Sequence, residues 1–351
     1  MKHLLLISAL LVPSFTSARD TALEDQFQPV PDHAAFREKG YHVWGASMVR
    51  DKDGTCHLFY SRWPEERGHH NWVSRSEVAR AVADHPTGPY KPAGVVLPAR
   101  GEEFWDGDCT HNPTVHYFDG KYYLYYMGTV AKEDDRPRKL SWPHRNNQRI
   151  GVAVADSPTG PWKRFPKPVI DVTPDDDAHD ALMVANPSIT RRPDGSYLMV
   201  YKAVAKRNPA PGYGPVVHLT ATSESPTGPF VKQGKPVFTA GKSKFPAEDP
   251  YIWRDGDTYR AIVKDMHGAF TDAGQSLVLF ESPDGFDWKP STPTLLTTLA
   301  LDWADGKRRK YTALERPQLW LDQGKPAVLF CAAAVDKERD DTFNVAIPLN
   351  P

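Results

Sequence analysis

The sequence predicts an all-β chain folded as a five-bladed β-propeller with four antiparallel strands per blade. Three observations carry that expectation. A hairpin-like segment recurs along the chain, a turn motif interleaves with it, and the composition is rich in aromatic and turn-forming residues. The 351 residues include 33 Pro, 24 Gly, 14 Tyr and 10 Trp, which favours strands joined by tight turns.

The first repeat reads "NPTVHYFDGKYYLYYMG" (112–128), "NPSITRRPDGSYLMVYKA" (186–203), "DPYIWRDGDTYRAIVKD" (249–265) and "RPQLWLDQGKPAVLFCA" (316–332). Each copy has an x-Pro step, a β-rich run, a Gly-containing turn and a second apolar run, the pattern of a hairpin. A fifth copy, "GASMVRDKDGTCHLFYS" (45–61), has Ala46 where the others have proline. The equivalent positions are 46, 113, 187, 250 and 317, so the spacing is nearly regular.

The second repeat reads "VADHPTGPY" (82–90), "VADSPTGPW" (154–162) and "TSESPTGPF" (222–230), with "FESPDGFDW" (280–288) a looser copy. Pro-Thr-Gly-Pro marks a turn between two further strands. Each period therefore carries four strands. A lone four-stranded sheet cannot bury both faces, whereas five of them in a ring cover one another. The fifth period lacks the turn motif, and its outer strand is expected from "FNVAIPL" (343–349) or from the N-terminal segment.

The N-terminus, "MKHLLLISALLVPSFTSARD", combines a basic start, an apolar run from Leu4 to Val12 and a small-residue site at Thr16-Ser17-Ala18. It reads as a cleaved signal peptide over residues 1–18, followed by one propeller domain over 19–351. The run is too short to span a membrane, which needs about 20 apolar residues. A secreted or periplasmic location follows. The formal charge of −1 argues against a nucleic-acid partner. Cys56, Cys109 and Cys331 are far apart and odd in number, so buried thiols are expected rather than a disulfide scaffold or a zinc site.

In a propeller, residues before each x-Pro step converge on one mouth of the central channel. Two before the proline stand Trp44, His111, Ala185, Glu248 and Glu315; one before stand Gly45, Asn112, Asn186, Asp249 and Arg316. Asp108 and Trp105 lie upstream in "FWDGDCTHNP", and His179 and Asp180 in "DDDAHDALMVANP". Asn and Asp before proline also serve as local caps. Glu248 and Glu315 are too long for that role, and a facing pair of carboxyls suits glycoside hydrolysis, one donating a proton and one activating water or attacking. Trp44, Trp63 and Trp105 offer faces for sugar rings. Glu248 is the candidate general acid, with Asp249 either helping to set its pKa or fixing the strand start. Two long loops, 62–77 and 131–149, are basic and aromatic. They carry Arg62, Arg67, His69, His70 and Arg75, and Arg136, Arg138, Lys139, His144, Arg145 and Arg149, a composition compatible with sulfated or uronic substrates. Loops of this length on a rigid scaffold serve either as ligand contacts or as solvated decoration.

These residues resemble the five-bladed propeller glycoside hydrolases, the family 43 type related to families 32, 62, 68, 117 and 130. "AEDPYIWRDGDTYRAIV" looks like the Glu-Gly-Pro hairpin that carries the family 43 general acid, which implies that role for Glu248. Two departures stand out. Gly45-Ala46 occupies the place of the family's first-blade Asp base, and Asn186 replaces its pKa-modulating Asp. The resemblance then leaves the base to Glu315, Asp108, Asp180 or Asp249, and the likeness to family 117 implies an acid role for His111 or His179. The reading is a divergent, exo-acting glycosidase on polysaccharide-derived oligosaccharides; the competing reading is a propeller that binds glycans without cleaving them. No cofactor is expected. The resemblance admits a structural calcium, for which "DDDAHD" (175–180) offers oxygens without the spacing of a calcium loop.

Overall fold

The computed structural model describes residues 22–132 and 136–350; the leader expected over 1–18 lies outside the described residues. Five four-stranded antiparallel sheets form the five blades, joined by a small two-stranded ribbon of Ala300–Asp302 and Arg308–Lys310. The innermost strands are Tyr41–Arg50, Cys109–Phe118, Met183–Arg191, Ala247–Asp255 and Ala313–Asp322. Each is followed by its hairpin partner: Cys56–Pro64, Lys121–Thr129, Tyr197–Val204, Thr258–Asp265 and Lys325–Ala334.

The third strands of the first four blades precede the repeated turns, as the second repeat requires. In all three Pro-Thr-Gly-Pro copies the glycine is left-handed, with φ of 91° at Gly88 and 86° at Gly160 and Gly228. A side chain is strained in that region, which explains the fixed Gly. The fifth blade uses both candidates for its missing strand. Thr342–Pro348 is its third strand, and Ala35–Phe36 pairs with it as the outermost. N- and C-terminal segments thus share one sheet and close the ring.

Hydrophobic clusters lie between successive blades. Phe59, Val78, Leu124 and Tyr126 fill the first seam, Ile150, Val184, Tyr197 and Tyr201 the second, and Val200, Phe238, Ile252 and Phe280 the third. The largest cluster joins the fourth, fifth and first blades. Outer strands are exposed, as in Lys91–Leu97, while inner strands are buried on both faces. Cys56, Cys109 and Cys331 are free and buried, in keeping with their reading as apolar thiols.

One expectation is corrected. The x-Pro step is not the strand start. The predicted hairpins began at 45, 112, 186, 249 and 316, but each strand begins two to four residues earlier. Pairing shifts register at the step in every blade, as between Ala185 and Ser188 or Glu248 and Tyr251. The residue before the step is left-handed in all five: Gly45 (φ 59°), Asn112 (52°), Asn186 (50°), Asp249 (53°) and Arg316 (54°). The motif is a β-bulge within the strand, which re-aims side chains toward the axis. Proline fits there because the bulged residue leaves the hydrogen-bond ladder.

Candidate active site

The five bulges meet at the axis and close the channel. Asn112 donates from Nδ2 to Oδ1 of Asn186 at 2.8 Å, and Asn186 donates from Nδ2 to Oδ1 of Asp249 at 2.7 Å. Arg316 reaches Oδ1 of Asp249 and the carbonyl of Asn112, both at 3.4 Å. The asparagines are therefore rungs of a lateral chain between blades, not local caps. Gly45 is the silent member. A Cβ there would lie 3.1 Å from Oδ1 of Asn112 and 3.5 Å from Nε of Arg316. A first-blade side chain at this position would crowd Asn112 and pack against the Arg316 side chain from the fifth blade. Below this floor, Thr114 donates to Gln318 at 2.8 Å. The hydroxyls of Ser47 and Ser188 accept backbone N–H groups from the next blade.

Above the floor lies a cavity of about 300 Å³. Trp44, His111, Glu248 and Glu315 line it from the other predicted column, with Asn112, Asn186 and Asp249 beneath. The two loops form its walls: Trp63, His69 and Trp72 from the first, Leu140, Trp142, Arg145 and Gln148 from the second. Of the basic residues singled out in these loops, only His69 and Arg145 line the cavity. Arg62 instead pairs with Glu38 and Glu77, Arg138 with Asp340, and Arg149 with Asp171.

Four further candidates stand elsewhere. Asp108 accepts the backbone N–H of Ala131 and faces Nε2 of His144 at 3.2 Å, so it tethers the second loop. Trp105 stacks on Tyr126 between blades. Asp180 is buried and pairs with Lys232 at 2.6 Å. His179, its neighbour, is not among the cavity-lining residues. The remainder of the 175–180 run is engaged locally, Asp176 with Lys206 at 2.7 Å. Among the described residues no group of three or more His, Cys, Asp or Glu is placed to hold a metal ion.

Charge partners not anticipated from the sequence set the chemistry. Lys202 pairs with Glu248. Lys264 lies 3.6 Å from Glu248 and 2.5 Å from Glu315, and Arg339 reaches Glu315 at 2.8 Å. Burial pushes the Glu248 carboxyl up, but Lys202 and Lys264 outweigh it and bring its pKa down to about 2. Glu315 is likewise raised by burial and carried below the ordinary range by Lys264 and Arg339. Asp249 goes the other way. Burial, then the neighbouring Glu248 charge, holds it up at about 6 against the pull of Arg316. Burial, reinforced by Arg316, keeps the His111 imidazole well below its usual value and so neutral, with Nδ1 on the Ser76 hydroxyl at 2.8 Å. One cavity thus holds carboxyls of divided proton affinity. Such a split separates acid from base roles.

The lysines had a signal in the repeat. Lys202 pairs across the hairpin with Ala185 and Lys264 with Glu248, so both occupy one column of the second strands, shared by Ser61, Met127 and Ala332. A second cleft, of about 270 Å³, lies by Leu23, Trp253 and Pro293. Its Asp255 is paired with Arg260, and it gathers no comparable set of carboxyls.

Comparison with known proteins agrees with this architecture. Residues 88–187 match the model of the glycosyl hydrolases family 43, a segment running from the first repeated turn through the second blade to Pro187. No curated protein matches the chain. Among similar solved structures is a family 117 glycoside hydrolase produced by the marine bacterium Zobellia galactanivorans. It is 18% identical, with 93% of this chain and 89% of that one covered and a TM-score of 0.63. A family 43 β-xylosidase/α-arabinofuranosidase from a compost microbial metagenome is 14% identical over 93% and 94% of the two chains, with a TM-score of 0.57. An α-L-arabinanase of Cellvibrio cellulosa is 16% identical over 89% and 93%, also at 0.57. At these identities the structural likeness shows the fold. The family match over residues 88–187 adds a likeness to the family 43 type of glycoside hydrolase, and the chain as a whole resembles a divergent relative of it.

Proposed function

We propose that the protein hydrolyses O-glycosyl bonds of polysaccharide-derived oligosaccharides, acting from chain ends. The observation that carries this reading is the set of three carboxyls with divided proton affinity, Glu248, Asp249 and Glu315, at the base of one tryptophan-walled cavity. The floor of Asn112, Asn186, Asp249 and Arg316 makes that cavity blind, which favours exo action.

In this mechanism a sugar ring sits among Trp44, Trp63 and Trp72. Glu248 and Asp249 act as one coupled acid, the proton residing on Asp249 and passing to the leaving oxygen through the more exposed Glu248. Glu315, kept ionised by Lys264 and Arg339, takes a proton from water as its oxygen bonds to the anomeric carbon and the glycosidic C–O bond breaks. Water is consumed, and the cycle closes when Glu315 releases its proton to solvent and the acid pair takes one up.

The test is release of free sugar from a panel of plant and marine oligosaccharides by wild type, Glu248→Gln and Glu315→Gln. The expected outcome is release by wild type and a loss of about 100-fold or more in either variant. Release by all three removes these carboxyls from the chemistry. A second reading, glycan binding without cleavage, is favoured by one observation: Glu248 and Glu315 are already neutralised by Lys202, Lys264 and Arg339. Binding of a panel member with no release by wild type would establish it.

The basic start, short apolar run and small-residue site over residues 1–18 support export. Among the described residues no helix is long and apolar enough to cross a membrane. Mass spectrometry of protein expressed with its leader is expected to find a mature chain beginning at Arg19; an intact Met1 would refute export by this route.

A further inference from the structure

The wall of the cavity contributed by the second loop holds two polar groups that the hydrolytic mechanism does not use. Arg145 lines the cavity from the short helix Trp142–Asn146. Its two hydrogen bonds both leave from Nη1, to Oδ1 of Asn146 at 3.0 Å and to the carbonyl of Gly212 at 3.1 Å. The Nε–Nη2 edge has no acceptor among the described residues, and no carboxylate of theirs lies within ion-pair distance. The guanidinium is backed by the Trp142 ring at 5.7 Å. Each other cation at the cavity base has a carboxyl partner, Lys202, Lys264 and Arg339 sharing Glu248 and Glu315 and Arg316 reaching Asp249.

Three residues on, Gln148 lines the same cavity and is 1% exposed, yet its Nε2 has no partner. An unmet buried amide is unfavourable, and so is a partly desolvated guanidinium without a counter-ion. Both costs are relieved by one occupant, a planar or tetrahedral oxyanion meeting the open guanidinium edge and the amide donor together. The charge balance agrees. Three cations that line the cavity (Arg145, Lys202 and Arg339) and two that pair with its carboxyls from outside the lining (Lys264 and Arg316) stand against three carboxyls (Glu248, Asp249 and Glu315), an excess of at least two positive charges.

We infer that Arg145 and Gln148 form an oxyanion subsite, and that the ligand is an acidic oligosaccharide bearing a carboxylate or sulfate on the sugar held beside them. The inference rests on the glycan reading above, though not on cleavage. Arg145 is the anchor, its Nη1 fixed by Gly212 and Asn146 so that the opposite edge is presented without further ordering.

The experiment is calorimetric binding, run beside the release assay, with matched oligosaccharides ending in a uronic acid, its methyl ester, a sulfated hexose or a neutral hexose. Wild type, Arg145→Gln and Gln148→Met are compared, with thermal melting to confirm folding. Wild type is expected to bind an acidic member at least about 10-fold more tightly than its neutral match, with the preference weakening in salt. Arg145→Gln is expected to abolish most of that preference, and Gln148→Met to reduce it. Preference for the uronic acid over its ester assigns a carboxylate; preference for the sulfated sugar alone assigns a sulfate. Equal binding of acidic and neutral members, no binding of any acidic member, or a preference unchanged in folded Arg145→Gln overturns the inference. Should Arg145→Gln not fold, an unchanged preference in Gln148→Met overturns it. The two readings separate cleanly. Acidic preference without sugar release defeats hydrolysis and keeps the subsite, whereas release from neutral substrates without acidic preference does the reverse.

Discussion

Glu248 and Asp249 are adjacent in sequence and opposite in proton affinity. The bulge places one carboxyl between Lys202 and Lys264 and the other in the buried floor. If the proton resides on Asp249, activity falls as pH rises through about 6, because that is where the proton is lost. A pH profile of kcat/KM that is flat between 5 and 7 would exclude this. Removing Lys202 as Lys202→Met takes away the largest charge that lowers Glu248, so its titration is expected to move upward. Because Glu248 belongs to the acid pair, the alkaline limb of the profile should then shift to higher pH. Gly45 tests the floor. Gly45→Ala adds a methyl 3.1 Å from Oδ1 of Asn112 at a left-handed φ, with an expected loss of about 1–2 kcal/mol in denaturant unfolding. Of the residues singled out in the sequence, those in the two columns before the x-Pro step, Ala185 apart, reached the site, as did Trp63. Asp108, Trp105, Asp180 and His179 did not, because nothing in a loop sequence states which way the chain turns.

The bulged inner strand is the element that builds the site. Five copies with one backbone conformation convert a repeat in sequence into a ring in space. The ring is linked laterally, so its members are coupled. Asn186→Ala removes both a donor to Asp249 and an acceptor from Asn112, leaving buried groups unpaired. A loss of about 1–3 kcal/mol in stability is expected, together with a further rise in the Asp249 pKa as its hydrogen-bond donor disappears. A double-mutant cycle with Asp249→Asn measures the coupling, and additive effects would deny it. At this scale the sequence was legible for hairpins and turns but not for the strand start. A proline near an edge of a β run looks like a boundary, although here it marks an irregularity inside the strand.

Closure belongs to the whole molecule. The outer strand of the fifth blade, Ala35–Phe36, comes from the N-terminal segment, and Phe36 packs edge-on against Tyr60 of the first blade at 4.8 Å. Phe36→Ala therefore loosens a seam between two blades that are distant in sequence, with an expected loss of about 3–5 kcal/mol. A melting temperature within a degree or two of wild type would show that the seam is held elsewhere. The ring also explains how two loops about 70 residues apart wall one cavity.

The sequence by itself determined the repeat, and with it the number of blades, the four strands in each and the two columns of residues brought to the axis. Periodicity does this because every copy must bury the same faces against its neighbours. Only the tertiary structure decided the electrostatics: which lysine meets which glutamate, that Arg316 lies beside Gly45, and that Arg145 and Gln148 turn inward. Those outcomes depend on distances of a few ångströms between blades and loops. Coulomb and desolvation energies vary steeply over such distances, and no local pattern along the chain encodes them.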